Sequence, residues 1–365
     1  MAGAAGVGAV MGAEPAPGPV PGIAGSLASW VYGKIVASRN TKFDAGRGVI
    51  EFDRPTISVG NLSVGGTGKT PFVQHLLGVL LRMGHAPCVA MRGYRAADGE
   101  SDESAMYRRA FPQVPVVAQP NRADGLIKLF ATPEGARTDC IVLDDGFQHR
   151  RIAREVDFVL IDATRTPFED ALLPKGWLRE PVQNLARIRD GGVVVTHAER
   201  ASEAELKLLA GHVRLRTGFP PVAVTKHAWA RLLVSKGGVE KQEPVEWLRA
   251  KRVLAVCAIG NPGPFLAQVA GGTGSEPAAS VVLRDHDPYK PGTLERILGE
   301  AKRVEAQAIV TTEKDWTKLW RVRPELWPCP VARPRLALEF MQGEDDVAGL
   351  LQRAFRLHKE KYPPA

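Results

Sequence analysis

From Pro55 onward, short apolar runs alternate with longer stretches of helical period; the runs are TISVG, CVAMRGY, VPVVA, CIVLDDG, FVLIDA and GVVVTHA. Runs that are continuously Val, Ile and Leu, rather than alternately apolar and polar, belong to strands buried on both faces, as in a parallel sheet covered by helices. The pattern pauses at Pro220 and Pro221, and VAVTKHAWARLLV followed by a Gly-Gly turn predicts a hairpin-like connection over residues 221–242. A second series then opens with RVLAVCAIG, SVVLRDH and AIVTTEKD, each followed by helix-like sequence. The expected fold is α/β: a parallel-sheet domain over residues 41–220 and a second, smaller α/β domain over residues 243–365.

The first 22 residues are mostly Gly, Ala, Pro and Val, with Glu14 as the single acid. They offer little side-chain surface to bury and are expected to be disordered. No basic segment precedes an apolar core there, so a secretory signal is not expected. Residues 23–40 place Ile23, Leu27, Trp30, Val31, Ile35 and Val36 on one face of an N-terminal amphipathic helix. Lys34 interrupts it, and the uncharged part is too short to cross about 30 Å of hydrocarbon. Two readings stay open. The helix packs on its own domain, or it lies on a membrane with Trp30 and Tyr32 at the headgroups and Lys34, Arg39 and Lys42 facing anionic lipid.

Composition adds little until charge is considered. A chain of 365 residues, 44% hydrophobic and 24% charged, can bury two cores. Cys88, Cys140, Cys257 and Cys329 lack metal-ligand spacing and read as thiols in a reducing compartment, the first three beside apolar runs. The net charge of +8 suits nucleic acid, an anionic membrane or an acidic substrate. Without a Lys/Arg run of five, an aromatic RNA-binding signature or a helix-turn-helix pattern, nucleic acid is not an expected partner.

The chemistry lies at two strand ends. TISVG runs into NLSVGGTGKTPFVQHLLGVLLRMG, which reads as strand, Gly-rich turn and amphipathic helix, the context a phosphate-binding P-loop requires. The nucleotide-binding stretch is Ser63, Val64, Gly65, Gly66, Thr67, Gly68, Lys69 and Thr70. Its glycines let backbone N–H groups converge on phosphate oxygens, Lys69 reaches the β- and γ-phosphates of ATP, and the Thr70 hydroxyl holds Mg²⁺. Ser63 stands where the strict motif has Gly. The second end is CIVLDDG, an apolar strand closing on Asp144 and Asp145, the way P-loop proteins present an acid to the Mg²⁺ shell. An ATP-dependent phosphotransferase with a P-loop NTPase-like sheet is therefore expected. TTEKD carries adjacent Lys314 and Asp315, the wrong spacing for a guanine-reading motif.

SVGNLSVGGTGKTP, MRGY with SDES, LDDGFQHRRIARE, LLPKGWLREP, AIGNPGPF, RDHDPY and TTEKDWTKL occur in this order, and together they resemble the tetraacyldisaccharide 4′-kinase (lipid A 4′-kinase) family from about Ile23 to Leu319. The resemblance implies transfer of the ATP γ-phosphate to the 4′-hydroxyl of a lipid disaccharide 1-phosphate. It also implies a peripheral enzyme at the cytoplasmic face of the inner membrane. The SDES segment matches the family's GDEP, with Ser101 and Ser104 departing from it, and makes Asp102 the catalytic base. RDHDPY supplies His286 as its partner, and LLPKGWLREP supplies Arg179 for the anionic substrate and Glu180 for the metal. Arg92 and Arg95, around MRGY, suit a substrate phosphate held by bidentate contacts. Two rivals share the same residues: a P-loop ATPase or kinase acting on a non-lipid partner, and a non-enzymatic membrane-binding module. Intact Lys69, Thr70, Asp144 and Asp145 argue against the second.

Overall fold

The computed structural model describes residues 19–93, 102–285 and 287–363; most of the expected disordered tail, Arg95 and His286 lie outside the described residues. The chain divides into two units, residues 19–228 with 337–365, and residues 229–336.

Every apolar run of the first series becomes a strand. In chain order the larger unit contains α1 (Gly22–Asp44), β1 (Thr56–Asn61), α2 (Lys69–Arg82), β2 (Pro87–Met91), α3 (Asp102–Ala110), β3 (Val116–Ala118) and α4 (Arg122–Phe130). It continues with β4 (Cys140–Asp144), β5 (Val156–Asp162), β6 (Gly191–Thr196), α5 (Glu203–Thr217) and the first residues of β7 (Ala223–Lys236). The strand order is β7-β6-β5-β1-β4-β2-β3, and the pairings are parallel. With β1 between β4 and β5, and Val59 level with Asp144, the loop after β1 and the acids ending β4 open on one edge. That edge is where ligands sit in open parallel sheets.

Helix α2 buries Phe72, Val73, Leu76, Leu77 and Leu80 completely, in one core with Ile57, Val59, Val89 and Phe158. At about 2 kcal/mol per side chain, this burial contributes on the order of 10 kcal/mol gross and fixes the helix start beneath the loop. Burial pushes the Cys88 and Cys257 thiols up to about 12.

The smaller unit takes the rest of β7 with β8 (Val239–Glu243), joined antiparallel across Gly237 and Gly238 at φ of +55° and +80°. Both residues sit in the left-handed region that such a hairpin turn needs. Then follow β9 (Val253–Cys257), α6 (Gly263–Thr273), β10 (Ala279–Val282), α7 (Pro291–Arg303), β11 (Ala308–Thr311), α8 (Glu313–Leu319) and β12 (Val331–Gln342). Strands β10-β9-β11-β12 are parallel neighbours. The chain then re-enters the larger unit and ends in α9 (Glu344–Lys361), whose Val347, Leu351 and Ala354 are buried in the α2 core. The sequence pattern groups residues 243–365 together, yet residues 337–365 belong with the larger unit. An apolar helical stripe states that it will be buried, not against which sheet.

Helix α1 leaves most of its apolar residues exposed. Its buried positions are Gly25, Ser29, Val36 and Asn40, a mainly small and polar stripe. Ser29 donates to the Leu172 carbonyl at 2.9 Å and Tyr32 to the Arg179 carbonyl at 3.0 Å. Ile23, Leu27, Trp30, Val31 and Ile35 are instead exposed. Of the six residues read as the apolar face, only Val36 packs inward.

Candidate active site

The loop after β1 is held from both sides. Val64 N–H donates to the Trp177 carbonyl and Arg179 N–H to the Leu62 carbonyl, each at 2.8 Å, and Ser63 bridges Leu178. Ser63 is thus extended backbone, which any residue adopts, and its replacement of Gly carries no conformational cost. On the other side the Thr196 hydroxyl, at the end of β6, donates to the Thr67 carbonyl at 3.1 Å. Gly68 caps α2 at φ +74°, and a Cβ there would lie 2.5 Å from the His227 ring. Glycine is demanded twice at that point, by conformation and by space. A Cβ on Gly65 or Gly66 would instead meet nothing within 4 Å, so the loop has open space beside these two residues.

Lys69, the first residue of α2, places its ammonium 3.2 Å from Asn61 Oδ1 and 3.5 Å from Asp145 Oδ1. The two adjacent acids have different environments because the strand stops between them, Asp145 taking φ +53°. Asp145 receives Arg179 Nη1 at 2.8 and 2.7 Å on its two oxygens. Burial opposes its ionisation, but Lys69 and Arg179 prevail and hold its pKa at about 2. Asp144 is buried, and burial raises its pKa, with Lys69 opposing. Its Oδ2 accepts the Tyr107 hydroxyl at 2.9 Å, while Oδ1 accepts no hydrogen bond from the described residues. A buried carboxylate oxygen without a donor, beside the P-loop threonine, fits a hard cation such as Mg²⁺.

Lys69, Asp145 and Arg179 therefore form one cluster, and Asp144 is joined to α3 through Tyr107. Arg179, expected at the substrate, spends its guanidinium on Asp145. Glu180, expected at the metal, is fully buried elsewhere: it accepts Asn184 Nδ2 at 2.6 Å, Asn40 Nδ2 at 3.4 Å, and Arg187. It anchors α1, because a buried carboxylate is stable only where donors surround it. Arg92 is exposed just past the end of β2. Asp102 opens α3.

Two side chains at this edge escaped the sequence reading. Arg122, at the first turn of α4, is buried and donates to the Asp145 carbonyl at 3.0 Å. Burial pulls its pKa down while Asp145 and Asp144 pull it up. A cation at a helix N-terminus opposes the helix dipole, and that oddity was the available signal. The other is Tyr107, whose only sequence signal is that an aromatic residue sits in a short polar helix.

The tetraacyldisaccharide-1-P 4′-kinase family model matches residues 24–344. The tetraacyldisaccharide 4′-kinase of Anaeromyxobacter sp. (strain K) is 33% identical over 95% of each chain. Its namesake from Chlorobium limicola is 31% identical over 82% of this chain and 88% of that protein. Among solved structures, LpxK from Aquifex aeolicus in complex with ATP matches with a TM-score of 0.70 at 27% identity, covering 90% of this chain and 98% of the other.

Proposed function

The chain belongs to the tetraacyldisaccharide-1-P 4′-kinase family, and from that premise we propose that it transfers the γ-phosphate of ATP to the 4′-hydroxyl of a tetraacyldisaccharide 1-phosphate, the lipid A precursor. The observation that carries this reading is the open glycine loop with Lys69 at its end, sharing one sheet edge with Asp144.

In the reaction the 4′-oxygen forms a bond to Pγ as the bond from Pγ to the bridging oxygen breaks, and ADP leaves. Backbone N–H groups of residues 65–70 and the α2 N-terminus receive the phosphates. Lys69 neutralises charge growing on the β- and γ-oxygens, and the contacts to Asn61 and Asp145 hold its ammonium ready for that task. Thr70 and Asp144 would hold Mg²⁺, which supplies charge neutralisation on the transferring group. Asp102 accepts the hydroxyl proton and His286 assists it; support for both is the match of SDES and RDHDPY to the family segments. Arg92 and Arg95 would hold the substrate's own phosphate by bidentate contacts.

Among the described residues no helix is long and apolar enough to cross a membrane. The exposed Ile23, Leu27, Trp30, Val31 and Ile35, with Lys34, Arg39 and Lys42 on the same helix, favour α1 lying on an anionic membrane surface. The enzyme is then peripheral, at the cytoplasmic face of the inner membrane where ATP is available. The test is ATP turnover with and without the acylated disaccharide 1-phosphate in mixed micelles, with the product's new phosphate located by ³¹P NMR. Turnover that ignores the lipid, or phosphate at another position, overturns the assignment.

A further inference from the structure

Helix α3 begins at Asp102 and carries Tyr107 one and a half turns later. Tyr107 is fully buried, with its ring in the core shared by Phe72, Val89 and Val142. Its hydroxyl donates to Asp144 Oδ2 at 2.9 Å. That one oxygen thereby ties α3 to Asp144 at the end of β4.

We propose that Tyr107 is a positioning residue for the metal side of the site: its hydroxyl fixes the rotamer of Asp144 and ties it to the helix that Asp102 opens. Occupying Oδ2 leaves Oδ1 as the free oxygen of Asp144, so the clamp sets which lone pair faces the cation. Ligands held by hydrogen-bonded neighbours bind metal more tightly than unrestrained ones, typically by about 10- to 100-fold. The proposal rests on the assignment of Thr70 and Asp144 as metal-facing groups.

The experiment is Mn²⁺ binding, followed by electron paramagnetic resonance with a non-hydrolysable ATP analogue, on the full chain and its Tyr107→Phe variant. The ring volume is kept, so the melting temperature should change little, while Mn²⁺ affinity should fall about 10-fold or more. The Mg²⁺ concentration for half-maximal turnover should rise in parallel, with KM for the lipid unchanged. In an Asp144→Ala background, Tyr107→Phe should produce a much smaller loss of Mn²⁺ affinity, since the clamped ligand is gone. Unchanged Mn²⁺ affinity in Tyr107→Phe, with or without a lower melting temperature, makes the tyrosine a packing residue and overturns the proposal. Should that variant not fold, the intact protein decides: Mg²⁺ added to the nucleotide complex must shift the Tyr107 Cζ resonance, and an unmoved resonance overturns it equally. Asp144→Ala binding Mn²⁺ as well as the parent would instead refute the metal assignment itself.

Discussion

Replacing Leu27 and Ile35 by Asn tests the orientation of α1 quantitatively. Each residue is 62% exposed, so the fold leaves most of its apolar surface in water. Full burial of such a side chain is worth about 2 kcal/mol, and the exposed share is therefore about 1.2 kcal/mol per residue. Together the two changes should remove about 2.5 kcal/mol of transfer free energy, a roughly 50- to 100-fold drop in partitioning onto lipid. Co-sedimentation with vesicles containing anionic phospholipid measures it, at fixed ionic strength because Lys34, Arg39 and Lys42 add a screened electrostatic attraction. The apparent KM for the lipid should rise while that for ATP stays put. Thermal stability should hold or increase slightly, because neither side chain has a packing role to lose. Unchanged sedimentation would refute the membrane face, and a melting temperature lowered by many degrees would show that these residues are packed.

Four further outcomes follow. Lys69→Ala should lower kcat by about 10³-fold or more with an unaltered circular dichroism spectrum, since a preorganised charge opposite the transferring phosphoryl group is lost; near-parental kcat would sink the phosphate-loop assignment. Gly68→Ala combines a left-handed φ, costing about 1–2 kcal/mol, with a clash on His227, and nucleotide-binding calorimetry should show affinity lost more than stability. Asp145 has a folded pKa of about 2, below its ordinary 3.8, so its contribution to stability is complete above about pH 4 and is lost as pH falls toward 2. In urea titrations the stability gap between the parent and Asp145→Asn should accordingly be constant from pH 5 to 7, at up to about 2 kcal/mol, and narrow below pH 4. If Asp102 and His286 act as one unit, each Ala variant should cost about 10² to 10⁴ in kcat, and the double variant little more than either; multiplicative losses would give them separate roles.

The strands and the phosphate loop were legible because each is specified locally. TISVG and CIVLDDG announce buried strands by composition, and GGTGKT concentrates three glycines in six residues, two of them at positive φ. Side-chain partnerships were not legible. Glu180 looks like a metal ligand until Asn40, 140 residues earlier, and Arg187 converge on it. Arg179 looks substrate-bound until Asp145, whose left-handed turn no periodicity encodes, aligns with it. Tyr107 meets Asp144 across 37 residues of chain. For α1, the spacing of apolar residues put Val36 together with five residues that lie outward, and it carried no information about which medium those five meet. Charge, hydrogen-bonding capacity and apolarity are properties of residues, whereas the partner is a property of the fold.

The return of the chain to its first unit has a consequence for biosynthesis. Residues 229–336 interrupt the unit that carries the P-loop, and the apolar stripe that completes the P-loop unit's core, Val347, Leu351 and Ala354, is translated after them. On the ribosome, the smaller unit emerges in full while the larger still lacks that stripe. The nascent nucleotide-binding sheet therefore spends the last third of translation with part of the α2 core uncovered, an interval in which exposed apolar surface is available to chaperones or to other unfinished chains. Stop codons introduced shortly before residue 344 should accordingly be far more damaging to solubility than their distance from Lys69 in the sequence would suggest.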